Sequence, residues 1–177
     1  NKFLNSKLDG SIDFKKDLHI FEVNSKKKIV LVSIKNDLKT ADIENLGAEF
    51  YKKINYGKNN EYFIISDSIP GKQNNLLGYF LHGLKLKSYE FKKYKSKKDT
   101  RIISINITGD KNKPSTKNQL KFRALEEGTF FARDLVSEPG NVLHPDEYAR
   151  RLSFLRKDGL KVNIYDEKKL KKLRMHS

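Results

Sequence analysis

Short apolar runs alternate along this chain with longer stretches in which apolar residues recur every three or four positions. Leu18-His19-Ile20-Phe21-Glu22-Val23 predicts a short strand, and Ile29-Val30-Leu31-Val32-Ser33-Ile34 predicts another. The second run is almost continuously aliphatic, which reads as a strand buried on both faces, as in a parallel or mixed sheet. The lysines before it, Lys26-Lys27-Lys28, read as a solvated turn. From Thr40 the apolar positions Ile43, Leu46, Phe50 and Ile54 predict a helix with one face on the sheet. Thr40 can cap it, and Asp42 and Glu44 in its first turn complement the helix dipole. Gly57 and Asn59-Asn60 break that pattern before a strand, Glu61-Tyr62-Phe63-Ile64-Ile65-Ser66, closed by Pro70-Gly71.

The same spacing predicts a helix from Asn74 to about Phe91, carried by Leu77, Phe80, Leu81, Leu84 and Tyr89. Arg101 to Ile107 alternates with a period of two and predicts a further strand. Gly109 to Lys117, with Asp110, Pro114 and Ser115, has the composition of a linker. Strand, helix, strand, helix, strand in that order predicts an α/β layered sandwich with a mixed, partly parallel sheet flanked by helices. Beyond the linker, Gln119 to Val136 reads as a bridging helix stopped by Pro139-Gly140-Asn141. Pro145 opens another helix, with Asp146 and Glu147 in its first turn and Gly159 at its close. Lys161-Val162-Asn163-Ile164-Tyr165 alternates like a strand, and Asp166-Glu167 starts one more helix. The expected division is therefore residues 1–114 as an α/β domain and 115–177 as a bridging helix with the opening of a second unit. A lone strand in that unit leaves its backbone groups unpaired.

Charge changes this picture little. The chain has 37 basic and 22 acidic residues, a net charge of +15, which raises a nucleic-acid-binding reading. Only seven of the 37 basic residues are arginine, the base-reading cation, and the lysines are spread over the whole length. That distribution reads more simply as solvated faces. Cysteine is absent, so disulfides and thiolate metal sites are excluded. No run approaches the roughly 20 apolar residues that cross a bilayer, and no basic-then-apolar leader is present. The chain opens on Asn1 rather than methionine and closes on Arg174-Met175-His176-Ser177, so both ends read as cut.

The search for chemistry yields no convergent set. His19, His82, His144 and His176 are far apart, with no HExxH pattern. There is no Gly-x-Ser-x-Gly elbow and no glycine-rich phosphate loop, which argues against a nucleotide site. The acidic pairs Asp146-Glu147 and Asp166-Glu167 stand in first helical turns, where a dipole role suffices. Glu126-Glu127 is expected on the polar side of the bridging helix, paired with cations a turn away. No catalytic, metal-binding or substrate-binding residue is assigned. Tyr89 to Lys98 interleaves aromatics with lysines, as a stacking platform for nucleic acid does; a helix end that buries its rings while lysines reach water has the same pattern.

Two segments are more specific. Gly83-Leu84-Lys85-Leu86-Lys87-Ser88-Tyr89-Glu90-Phe91-Lys92-Lys93-Tyr94-Lys95-Ser96-Lys97-Lys98 resembles a segment late in the N-terminal domain of the leucyl aminopeptidase family. Ala132-Arg133-Asp134-Leu135-Val136-Ser137-Glu138-Pro139-Gly140-Asn141 through Pro145 and Ala149 is similar to the stretch joining the family's two domains. Lys161 to Leu173 and Met175 resembles the start of its catalytic domain. Ser137 replaces the usual asparagine, His144 the usual threonine or serine, and Arg174 a common glycine. The resemblance implies a cytoplasmic, homo-hexameric enzyme that removes N-terminal residues, leucine preferentially, with two divalent ions, zinc or manganese. It implies a macro-domain-like N-terminal fold serving assembly and access control. The family's metal segments, similar to D-S-G-G and N-T-D-A-E-G-R, do not occur here, so this portion alone is expected to be inactive. Peptides are the implied substrates, no membrane is implied, and some bacterial relatives bind DNA.

Overall fold

A computed structural model describes residues 17–24, 28–35, 38–57, 60–69, 75–96 and 102–175. By its internal contacts the chain forms two compact units, Asn1–Phe130 and Phe131–Ser177.

In the first unit, β1 (Leu18–Glu22) pairs antiparallel with β2 (Lys28–Val32), with Leu18 opposite Val32. Strands β3 (Glu61–Ile65) and β4 (Ser104–Thr108) pair in parallel, Glu61 opposite Ser104 and Ile65 opposite Thr108. The expected α/β layering with a partly parallel arrangement is thus present, but among the described residues it is built from two two-stranded sheets. The expectation of full burial for the Ile29–Ile34 run is corrected: β2 is only half-buried, and among the described residues β1 is its one partner strand.

Helix α1 (Thr40–Asn55) turns Leu46, Phe50 and Ile54 inward, on the predicted spacing. Its cap is Lys39, not Thr40: the Asp42 carboxylate accepts the Lys39 N–H at 3.0 Å, so the acid at the third helical position serves the N-terminus. Helix α2 (Leu76–Lys87) stops four residues short of the expected Phe91, where the Ser88 hydroxyl bonds back to the Lys85 carbonyl at 2.7 Å. Leu76, Leu77, Phe80 and Leu84 of α2 join the α1 residues, Leu18 and Ile69 in one core. Tyr62 and Ile64 of β3 and Ile105 and Ile107 of β4 pack against it as the period of two requires.

The two helices touch through glycine. A Cβ on Gly47 of α1 would lie 1.9 Å from the Phe80 carbonyl oxygen, and one on Gly83 of α2 would lie 1.9 Å from that of Glu44. Each glycine therefore lets the opposing backbone come closer than any side chain permits.

Helix α3 (Thr116–Ser137) begins three residues before the expected Gln119, with the Ser115 hydroxyl accepting the Asn118 N–H at 3.3 Å. Within the first unit it packs through Phe122, whose ring lies 5.0 Å from those of Tyr79 and His82, and through Phe130, 5.2 Å from Tyr89.

The second unit holds the end of α3, helix α4 (Pro145–Ser153), a 3₁₀ turn (Phe154–Asp158) closed by Gly159 at φ +84°, and α5 (Glu167–Lys172). Neither α4 nor α5 buries a residue. The strand expected over Lys161–Tyr165 is absent; with no partner strand among the described residues, the Arg156 guanidinium donates to the Val162 carbonyl at 2.8 and 3.1 Å instead.

Candidate functional site

Three side-chain clusters stand out. The first lies between α2 and α3, where His82 Nδ1 and Glu126 Oε1 share a hydrogen bond of 2.9 Å. Both are shielded, at 9% and 16% side-chain exposure, and the imidazole leans on Phe122. A cavity of about 150 Å³ beside them is lined by Gly78, Leu81, Pro114, Gln119 and Arg123 as well. The pairing corrects the expectation that Glu126 and Glu127 both face cations on one helix: only Glu127 does, meeting Arg123 at 2.8 Å. A buried pair with two members positions helices; by itself it has neither a nucleophile nor an oxyanion donor set.

The second cluster joins the end of α3 to α4. Arg151 donates to Glu138 and to Glu147, each at 2.8 Å, and Arg150 grips Glu147 at 2.6 and 2.7 Å. Bonds from Arg150 and then Arg151 hold the Glu147 carboxyl down to about 2. The Glu138 side chain is almost wholly enclosed, at 1% exposure. Its place between the end of α3 and Pro139 gives that motif a physical reason: the helix must stop before the proline, and the carboxylate just past its end anchors the next helix.

The third lies at the carboxyl ends of β3 and β4. Asp67 Oδ1 accepts the backbone N–H groups of Asp110 and Lys111 at 2.8 and 2.7 Å. Those bonds, Lys111 first, hold its carboxyl below the usual range.

The four histidines are placed separately. His19 sits on β1 beside Phe21, His82 in the first cluster, and His144 at the exposed N-cap of α4; His176 lies outside the described residues. Asp166 caps α5 by accepting the Lys169 N–H at 2.8 Å, and Glu167 pairs with Lys171 at 2.6 Å, as their first-turn positions predict. Tyr89, two residues past the end of α2, is half-buried against Phe130, while Tyr94 is exposed under Lys93 at 5.5 Å. Among the described residues no group of three or more His, Asp or Glu could hold a metal ion, and no helix is long and apolar enough to cross a membrane.

Known proteins supply the wider frame. A probable cytosol aminopeptidase of Nitrobacter winogradskyi is 30% identical over 148 residues, which is 78% of this chain and 29% of that protein. A second, from Agrobacterium fabrum, is 38% identical over 104 residues, 55% of this chain and 21% of the relative. Over most of its length the chain is similar to the leucyl (cytosol) aminopeptidases. It spans less than a third of the length of these relatives, and the similarity falls to the N-terminal portion of the family. No family model matches the sequence. The fold agrees with that of solved chains. A tomato leucine aminopeptidase variant superposes with a TM-score of 0.75 at 19% identity, covering 98% of this chain and 38% of that one. The bottromycin maturation enzyme BotP, in complex with Mn, gives 0.70 at 17% identity over 96% of this chain and 36% of its own.

Proposed function

We propose that this chain is the N-terminal portion of a metal-dependent leucyl-type aminopeptidase, serving assembly and access control of a cytoplasmic homo-hexamer whose substrates are peptides. The observation that carries the reading is the 30–38% identity to cytosol aminopeptidases. The Mn complex of a structural neighbour supports metal use by such a protein. The donors present here do not fit a two-metal centre, since no sufficient cluster of carboxylates and imidazoles exists among the described residues. The test is a leucine chromogenic substrate with added manganese. This chain alone should give no turnover, and the longer chain carrying it should give metal-dependent turnover. Robust turnover by these 177 residues, or a longer reading frame without aspartate- and glycine-rich metal segments, overturns the proposal.

The net charge of +15 favours a second reading, a nucleic-acid-binding surface. A salt titration of DNA binding decides it. A steep fall of log affinity with log salt supports it, and no binding near physiological salt removes it.

A further inference from the structure

In open α/β sheets, the carboxyl ends of parallel strands are where ligands are received. Strands β3 and β4 end level with each other, Ile65 opposite Thr108. The Ser66 hydroxyl, fully buried, ties the two ends by donating to the Thr108 carbonyl at 2.9 Å. The chain then turns at Gly109, whose φ of +108° only glycine adopts without strain. A Cβ there would lie 2.7 Å from Ser66 Oγ and 2.8 Å from the Asp67 carboxylate, so the turn is pressed onto both side chains. Beyond it the N–H groups of Asp110 and Lys111 converge on one oxygen, Asp67 Oδ1. Successive N–H groups aimed at one point form the concavity that elsewhere holds phosphate. Asp110's own carboxylate is fully exposed and 4.0 Å from Lys113 Nζ, so it turns away from the cradle.

We propose that this is an oxyanion site which the chain fills with its own side chain, Asp67 acting as a tethered ligand that closes the cradle to external phosphate-type anions. A tethered carboxylate competes at a high effective concentration, so a free anion at millimolar levels does not displace it. Removing the carboxylate leaves the two N–H groups and the neighbouring Lys111 and Lys113 to receive an anion from solution. The inference is independent of the peptidase reading, since it concerns the strand ends of the first unit alone.

The experiment titrates inorganic phosphate, against chloride at constant ionic strength, into the whole chain and its D67A and D67N variants. Non-specific phosphate binding to the lysine-rich surface affects all three alike, so the readout is the difference between them. In D67A the Asp110 and Lys111 amide resonances should shift saturably with phosphate; in the parent they should stay fixed. Equal responses in both proteins, or none in folded D67A, overturn the proposal. Should D67A fail to fold, D67N decides, because a neutral amide oxygen in place of Asp67 Oδ1 holds the two N–H groups more weakly than a carboxylate and leaves the cradle without its negative charge. Its thermal midpoint should rise about 3 °C more in phosphate than the parent's, and an equal rise overturns the proposal.

Discussion

Two guanidinium groups meet at Glu147, and the consequence is readable as a pH profile. Its carboxyl titrates near 2 in the folded chain, against the usual 4.5. A depressed carboxyl contributes stability that is present above the unfolded value and lost as pH falls through the folded one. The joint between α3 and α4 should therefore hold above about pH 4.5 and loosen between there and 2, and Glu147→Gln should flatten that acid limb when followed by chemical shifts of α4. Asp67 acts in the same sense, held low by the Lys111 and Asp110 N–H groups with Lys113 nearby. At the other cluster, Glu126→Ala leaves a shielded imidazole without its partner and should cost about 2 kcal/mol, whereas Glu126→Gln retains an acceptor and should cost less than half of that, by denaturant unfolding. The residues involved were unequally legible. Glu147 and Asp166 announce themselves by standing in first helical turns. His82 and Glu126 lie 44 positions apart, and nothing local to either marks the other.

Among elements, the contact between α1 and α2 is the most demanding. Gly47→Ala and Gly83→Ala each force a methyl group into a backbone carbonyl of the facing helix, and each should destabilise the chain by about 3 kcal/mol. Gly128, inside α3, is the control: nothing lies within 4 Å of its Cβ position, so Gly128→Ala should stabilise by up to about 1 kcal/mol through helix propensity. Chemical unfolding of the three variants checks both signs. The helices themselves were legible because a spacing of three to four residues survives any tertiary setting. The glycine contacts were not, since an interior glycine reads only as a weak spot until its neighbour is known. Lys161–Tyr165 failed for the opposite reason: its alternation was real, but a strand exists only where another strand can pair with it.

For the molecule as a whole, the readable part was the α/β layering and the likeness to cytosol aminopeptidases, which rests on segments such as Ala132–Asn141 rather than on any catalytic residue. The number of sheets was not readable, because periodicity fixes which residues face inward but not which strands become neighbours. The core is also distributed unevenly. Every described member of the main buried cluster lies before residue 85, whereas among the described residues of Phe131–Ser177 the buried apolar one is Leu135. Phe50→Ala, which empties the space between Tyr62 and Phe80, should cost about 4 kcal/mol and be felt throughout the first unit by calorimetry.

That α4 and α5 bury none of their residues has a consequence for how the chain meets deuterated solvent. Their backbone amides should exchange through small local openings within minutes, while those of α1 and α2 wait for cooperative opening of the whole unit. A melting curve recorded on this chain then reports the residues up to Phe130, and the remaining segment relaxes beneath it as a gradual slope.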